Sequence, residues 1–244
     1  MKNKRWGLIL KMCEETSFVS TNDIVEKLNI SEATARRDLR DMEDNGLIVR
    51  SYGGARLSEN VIQEKSMSLK SFLNIEDKNK IAKYAASLIK DGMIVYLDAG
   101  TSTLEMIDYI NAKNITIVTN GIPHLLKLSK KNIKTFVLSG FVKSNTEAVT
   151  GKETVNQISH LNFDLAFVGV NGIHPKTGFT TTEEYEGEGK KMAIRQSKKS
   201  YILADNSKFN KLCFVPFANF DEATVIIANK VDDFDFSLIN YIEV

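Results

Sequence analysis

The run S-E-A-T-A-R-R-D-L, residues 31–39, carries the most chemically pointed side chains of the chain. Ala35, Leu39 and Met42 recur at i, i+4, i+7 and define the inward face of a helix. Arg37 and Arg40 then stand on the opposite face, with Thr34 and Arg36 on its flanks. Guanidinium groups so arranged pair with phosphates or fork onto guanine edges in a major groove. Ser31, just before the helix, is placed to cap its free N–H groups. Taken alone, an arginine-rich helix face is ordinarily a solvated surface.

The neighbours decide between these readings. A short helix over Thr21–Leu28, with Ile24, Val25 and Leu28 inward, ends at Asn29. The Asn29-Ile30-Ser31 turn leads straight into the arginine helix, the spacing of a helix-turn-helix. Gly46 marks the helix end. The runs Leu47-Ile48-Val49 and Ala55-Arg56-Leu57, joined by a Gly53-Gly54 turn, read as a β-hairpin whose tip is flanked by Arg50 and Arg56. A hairpin beside a recognition helix is a wing, able to follow the backbone or the minor groove. The expected DNA-facing set adds Thr21, Ser31, Gly53 and Gly54 to Thr34, Arg36, Arg37, Arg40, Arg50 and Arg56.

A second chemistry stands further on. In an open parallel sheet, ligands bind outside the carboxyl ends of the strands. One apolar run is followed by D-A-G-T-S-T: Asp98, then Gly100, then the hydroxyls of Thr101, Ser102 and Thr103 opening a helix. Gly100 lets the backbone approach closely, and hydroxyls with helix N–H groups suit a phosphate. A Ser/Thr cluster before a helix is by itself more often only a cap. Other runs end in Thr119-Asn120-Gly121, in Gly169-Val170-Asn171-Gly172, and in Asp205-Asn206-Ser207-Lys208. Polar and glycine residues thus converge on one sheet edge from several strands, which is stronger than any one of them. The Thr-rich stretch 178–182 leads into a helix carrying Glu186 and Lys190 at i, i+4. That pair reads as a surface ion pair worth roughly 0.2–0.5 kcal/mol, or as an acid for sugar hydroxyls and a cation for a phosphate. Gly187 and Gly189 weaken this helix and leave its start open.

Composition bounds the rest. A chain of 244 residues, 43% hydrophobic and 26% charged, suits a soluble globular protein of one large or two moderate domains. A net charge of +1 excludes nucleic-acid binding by bulk charge, so the grip must come from placed arginines. Cys13 and Cys213 are far apart in apolar runs and read as buried thiols in a reducing compartment. His124, His160 and His174 are not at ligand spacing, so no metal is expected. The absence of a secretory leader or a bilayer-length apolar run points to a cytoplasmic protein without a membrane partner.

In chain order, a first helix over 5–15 presents Trp6, Ile9, Leu10 and Cys13 as core. The winged unit occupies 1–57, and 58–74 reads as a linker with some helical content. From 75 to 244 the pattern changes. A helix through Ile81, Ala85 and Ile89 precedes apolar runs at 93–98, 115–119, 135–139, 165–170, 201–204 and 223–228, with helical patterns through Leu104 and from Pro123 between them. Alternation of this kind predicts an α/β fold with a Rossmann-like parallel sheet covered on both faces.

The chain resembles DeoR-family bacterial transcriptional regulators over nearly its whole length. The carrying motifs are S-E-A-T-A-R-R-D-L, Y-G-G-A, D-A-G-T-S-T, V-T-N, T-E-A-V-T-G, D-L-A-F-V-G-V-N-G-I and L-A-D-N-S-K-F, in that order. The resemblance implies an N-terminal winged helix and a C-terminal domain resembling ribose-5-phosphate isomerase. It also implies a phosphorylated sugar as effector with no further cofactor, repression of sugar-utilisation operons, and homodimers or homotetramers on operator DNA. Carried over by position, Asp98, Gly100, Thr101, Ser102 and Thr103 match the phosphate loop. Thr119, Asn120, Lys143, Asn171, Gly172, Glu186, Lys190, Asp205 and Lys208 match the remaining pocket positions. Tyr52, where the family usually has His, joins the DNA-facing wing; Ser102 stands where Thr is common, and Ser139 and Phe141 depart from the usual glycine and polar residue. Tyr52 bears on the wing's backbone contacts, and the Ser102 hydroxyl keeps the phosphate loop. The changes at Ser139 and Phe141 bear on effector identity rather than on effector binding.

Two other functions fit parts of the pattern. An aldose–ketose phosphate isomerase fused to a DNA-binding domain would use Asp98, Glu186 and Lys190 as acid, base and oxyanion stabiliser. A purely architectural DNA-binding protein would need none of the strand-end motifs.

Overall fold

A computed structural model of the chain describes residues 2–58 and 67–244. The chain divides into two compact units, Met1–Ile75 and Glu76–Val244.

The first unit runs α1 (Lys2–Thr16), β1 (Val19–Ser20), α2 (Thr21–Leu28), α3 (Glu32–Asp44), β2 (Ile48–Ser51), β3 (Gly54–Leu57) and α4 (Met67–Phe72). The stripes expected of the helices close on one another: Trp6, Ile9, Leu10, Cys13, Ile24, Ala35, Leu39 and Met42 form one buried cluster. α2 is set off by a capping box between Ser20 and Asp23 and is ended by Asn29 in the left-handed region, φ 49°. Ser31 caps α3 by accepting from the Thr34 N–H at 3.3 Å.

Three features depart from the sequence reading. A third strand, β1, completes an antiparallel sheet in the order β1-β3-β2. Ser51 pairs with Gly54, so the two-residue turn is Tyr52-Gly53, one residue earlier than the glycine pair suggested. Gly53 supplies the turn's positive φ of 79°, whereas Gly54 is a strand residue pressed on β1. A Cβ there would lie 2.1 Å from the Val19 carbonyl oxygen. Finally, part of the expected linker is α4, which belongs to the first unit: Phe72 packs on Trp6 with ring centroids 5.1 Å apart. Residues 59–66 of that expected linker lie outside the described residues.

The second unit is built on a seven-stranded parallel sheet: β4 (Ile94–Leu97), β5 (Thr116–Thr119), β6 (Lys134–Val137), β9 (Phe163–Gly169), β12 (Ser197–Leu203), β14 (Thr224–Ile227) and β15 (Tyr241–Glu243). Their spatial order is β15-β14-β12-β9-β4-β5-β6. Alternate residues serve opposite faces, as strand geometry requires. Val95, Leu97, Ile117, Phe167 and Leu203 join one core with α5 (Ile75–Ser87), α6 (Thr101–Tyr109) and α7 (Ile122–Lys130). Tyr96, Val118, Val168 and Ile202 join the other with α8 (Lys152–Ser159) and α9 (Glu184–Arg195).

The chain lays β4, β5 and β6 outward in one direction, then restarts beside β4 with β9 and lays β12, β14 and β15 in the other. The order therefore reverses between β4 and β9, and a crevice opens at their carboxyl ends. Two further pieces crowd that edge: a hairpin of β7 (Phe141–Lys143) and β8 (Ala148–Thr150), and an antiparallel sheet of β10 (Gly172–His174), β11 (Gly178–Thr181) and β13 (Val215–Ala218). Short strands such as these, together with β15, carry too few residues for periodicity to reveal them.

Candidate functional site

The first site is the face of α3 with its wing. Arg36, Arg37 and Arg40 are exposed on α3 opposite the buried Ala35, Leu39 and Met42. Arg36 is tethered to Glu32 one turn earlier, at 2.7 Å, whereas Arg37 and Arg40 project from the same helix. In the wing, Arg50 leans on Glu43 at 3.6 Å, Arg56 is exposed, and Tyr52 at the tip is fully solvated at 105%. Ser31 and Thr34 join their hydroxyls at 2.9 Å. Two of the expected DNA-facing residues also make contacts within the unit. The Thr21 N–H donates to the Gly53 carbonyl at 2.7 Å, tying α2 to the wing, and Gly54 is buried by its contact with β1.

A residue outside that set holds the face in place. Asp38, on α3, is only 2% exposed, and Arg5 of α1 forks onto it with bonds of 2.7 and 3.1 Å. This bidentate pair fixes the helix's rotation about its axis. It spans 33 residues, so local spacing gives no hint of it.

The second site lies in the crevice between β4 and β9. Asp98, immediately after β4, accepts from the Gly169 N–H at 2.9 Å and from Lys190 of α9. Both members of the pair are buried, Asp98 at 3% and Lys190 at 6% exposure. Burial pushes the Asp98 carboxyl above the ordinary carboxylate range, against the opposing pull of Lys190. Glu186, one turn before Lys190, reaches elsewhere. It meets Lys143 and Thr146 of the β7–β8 hairpin at 3.3 Å each and Thr181 at 3.4 Å. Thr181 in turn donates to Asn171 at 3.0 Å. The Glu186–Lys190 spacing therefore does not make a mutual pair; each side chain closes a different long-range contact around the crevice.

The loop after Asp98 opens a helix with free-standing first-turn N–H groups. The first helical bond of α6 runs from the Leu104 N–H to the Gly100 carbonyl, and Gly100 offers no side-chain cap. The N–H groups of Thr101, Ser102 and Thr103 thus precede the helical ladder, where the helix dipole favours negative charge. Ser102 is half-buried beside them, and Lys143, partly exposed, belongs to the polar network through Glu186.

Of the residues expected to touch the effector, Thr103 and Asn120 brace this loop, and several others are buried in contacts of their own. Thr103 and Thr119 are 0% exposed. The Thr119 hydroxyl accepts from the Gly121 N–H at 3.1 Å. Asn120 accepts from the Ala99 N–H at 2.8 Å and donates to the Val149 carbonyl at 3.1 Å, clamping the loop to β8. Gly172 is buried, and a Cβ there would come within 2.4 Å of the Lys211 carbonyl oxygen, so glycine lets the two backbones approach. Asp205, 2% exposed, caps a turn by accepting from the Ser207 N–H at 3.0 Å. Burial alone would raise its carboxyl, but Lys208, Ser207 and Lys78 hold it below the ordinary range. Buried hydroxyls and amides of this kind find partners within the protein.

The sequence reading does not single out Thr146, Thr181 and His124 as site residues. Thr181 lies in the Thr-rich stretch, and Thr146 opens T-E-A-V-T-G, so the motifs carried a signal for both. Among the described residues no helix is long and apolar enough to cross a membrane, and no cluster of three metal-binding side chains forms. Cys13 is buried, while Cys213 is only partly so, contrary to the expectation for both.

Residues 5–61 match the DeoR-like helix-turn-helix domain and residues 73–230 the DeoR C terminal sensor domain. The chain is 41% identical over 224 residues to the uncharacterized HTH-type transcriptional regulator FruR of Bacillus subtilis, covering 91% of this chain and 89% of that one. It is 35% identical to a lactose phosphotransferase system repressor of Staphylococcus epidermidis, over 95% of this chain and 93% of the other. To the HTH-type transcriptional regulator GlpR of Haloferax volcanii it is 33% identical, over 93% and 89%. Among solved structures, ribose 5-phosphate isomerase A of Methanocaldococcus jannaschii covers 55% of each chain at 19% identity and a TM-score of 0.41, a likeness on which nothing functional rests. From its winged recognition helix to its parallel-sheet sensor unit, the chain belongs to the DeoR family of DNA-binding transcriptional regulators.

Proposed function

We propose that the protein represses a sugar-utilisation operon and is released from its operator by a phosphorylated sugar bound between β4 and β9. The observation that carries this reading is the first turn of α6, without a side-chain cap, set at the switch point and opening directly after Asp98, which Lys190 pairs. A phosphate on the α6 N–H groups, with sugar hydroxyls toward Glu186 and Asn171, uses each group in its natural polarity. Relatives named as a lactose phosphotransferase system repressor and as FruR accord with a sugar-linked regulator. The protein acts in the cytoplasm as a homo-oligomer, and the effector favours one arrangement of that oligomer over another. A coupling of about 1–2 kcal/mol changes operator affinity roughly five- to thirty-fold.

An isomerase reading is less well supported. Proton transfer at a sugar carbon needs a base free to reach a C–H. Asp98 is bound by Lys190 and the Gly169 N–H, and Glu186 by Lys143, Thr146 and Thr181. Regulation rather than turnover uses this geometry.

The test is thermal unfolding of the full chain with inorganic phosphate, ribose 5-phosphate, fructose 1-phosphate, fructose 6-phosphate and their unphosphorylated sugars. At about a hundredfold excess over Kd, a specific ligand stabilises by about 2.7 kcal/mol, or about 5–10 °C for a unit of this size. The proposal expects such a shift from a phosphorylated sugar and none from its free counterpart. No shift from any phosphorylated compound overturns it.

A further inference from the structure

One buried group at the effector loop has no role in the reading above. His124, on α7, is 0% exposed, as is Thr103 on α6. The Thr103 Oγ1 lies 2.6 Å from the Asp98 carbonyl oxygen, 2.9 Å from the Gly100 carbonyl oxygen and 3.1 Å from Nε2 of His124. Carbonyl oxygens only accept, so the single hydroxyl proton of Thr103 is committed to them. The contact with His124 is then a hydrogen bond only if Nε2 carries the ring proton and donates. Nδ1 is left as a bare lone pair. It has no partner among the described residues and faces Gly121, where a Cβ would sit 2.3 Å away.

This arrangement is a poor device for stability, because a buried acceptor without a partner is destabilising and an apolar ring would avoid it. What histidine adds is a donor of fixed protonation. Burial, with the Lys127 charge second, holds the imidazole down to about 3, so it stays neutral wherever the cell operates. With Nε2–H on one side and two carbonyls on the other, the Thr103 side chain has one rotamer. Thr103 thereby staples the Asp98 and Gly100 carbonyls to the start of α6, which fixes the direction of the first-turn N–H groups.

We propose that His124 is a positioning residue for the effector loop. By donating from Nε2 to Thr103 it preorganises the α6 N-terminus for an anion, which lowers the ordering cost of binding. The inference rests on the anion-pocket reading of this loop. Gly121 is part of the same device, since any side chain there would displace the ring.

The test uses the full chain. Histidine is 15N-labelled and observed by NMR between about pH 5 and pH 8; with only three histidines in the sequence, His124→Gln assigns the resonance. The expected signature is a neutral ring protonated at Nε2 throughout. Calorimetric titration with inorganic phosphate, and with whichever sugar phosphate most stabilises the wild type, then compares wild type, His124→Phe and His124→Gln. Phe removes the donor, and the expected loss of affinity is about tenfold. The Gln amide places an N–H near the position of Nε2 and is expected to restore affinity to within about threefold. Should the Phe variant fail to fold, Thr103→Val removes the partner of the same hydrogen bond and is expected to weaken binding similarly. A ring protonated at Nδ1, or charged at about pH 5, overturns the proposal. So does wild-type affinity in His124→Phe or Thr103→Val while the wild type binds normally. A wild type that binds no probe overturns the pocket reading itself.

Discussion

Replacing Lys190 by Met tests the architecture of the crevice most severely. Asp98 and Lys190 are 3% and 6% exposed, and the methionine side chain fills nearly the same volume as the lysine stem. The substitution therefore removes a charge without opening a cavity. Asp98 would be left with the Gly169 N–H at 2.9 Å as its remaining partner in that contact. Stranding one member of a buried pair costs about 3–5 kcal/mol, and the surviving N–H places this case near the lower end, about 3 kcal/mol. For a unit of this size that is about 6–12 °C in Tm. The loss carries a sign with pH. Burial already holds Asp98 above its ordinary range in the folded state, and removing Lys190 takes away the main influence pulling it down. A group with a raised folded pKa stabilises at pH below its unfolded value and loses that contribution as pH rises through the folded value. The Lys190→Met variant should therefore be most destabilised near neutral pH and recover on acidification toward about pH 5. Differential scanning calorimetry at both pH values, with the double variant Asp98→Asn/Lys190→Met recovering about 1–2 kcal/mol, measures this directly. A fall below about 2 °C at neutral pH, or an equal fall at both, refutes the reasoning.

Three further outcomes follow from the same contacts. Arg37→Ala and Arg40→Ala should each weaken operator binding by about 1–3 kcal/mol at fixed salt without lowering Tm, because both side chains are exposed; unchanged fluorescence anisotropy for both would remove them from the interface. Arg5→Ala strands Asp38, which is 2% exposed, but Arg5 is itself partly solvated. The expected cost is therefore about 2 kcal/mol, or roughly 8–16 °C in the melting of the first unit, and a melt unchanged within error would show the fork to be ornamental. Burial pushes the Cys13 thiol up to about 11, so near pH 8 it should resist a thiol reagent while the folded chain's Cys213, partly exposed, reacts; two fast-reacting thiols before unfolding would contradict the buried position of Cys13.

Much of this molecule is written locally. The Ser31 cap, the Asn29 turn and the Ala35–Leu39–Met42 stripe use interactions within four residues, and the structure places α3 where they indicate. Six of the seven strands of the parallel sheet are legible as apolar runs. The edge strand β6 leaves Phe136 and Val137 exposed, whereas β4, β5, β9, β12 and β14 are legible because the sheet's centre is buried on both faces. Their polar ends marked the crevice for the same reason, since a strand stops being apolar where it leaves the core. What periodicity could not supply is pairing between distant residues. Asp98 meets Lys190 across 92 residues and Arg5 meets Asp38 across 33, while the nearer Glu186–Lys190 spacing offered a false partner. The distinction between residues facing the crevice and residues holding it was equally hidden. Thr101, Ser102 and Thr103 are alike in sequence, yet only burial and the direction of the Thr103 hydroxyl show that it serves the loop. His124 looked like a lone histidine because its partner stands on another helix.

In the proposed mechanism, a sugar phosphate seated on the first turn of α6 frees the protein from DNA. Titrating the stabilising sugar phosphate into a preformed complex with operator DNA, followed by fluorescence anisotropy, tests it in one measurement, with Ser102→Glu run alongside to place a carboxylate where the phosphate would sit. The predicted result is release of the wild type over the concentration range in which the sugar phosphate stabilises it, with the variant still bound at those concentrations. A wild-type complex that survives every phosphorylated sugar, or a variant released at the same concentrations as the wild type, would contradict it.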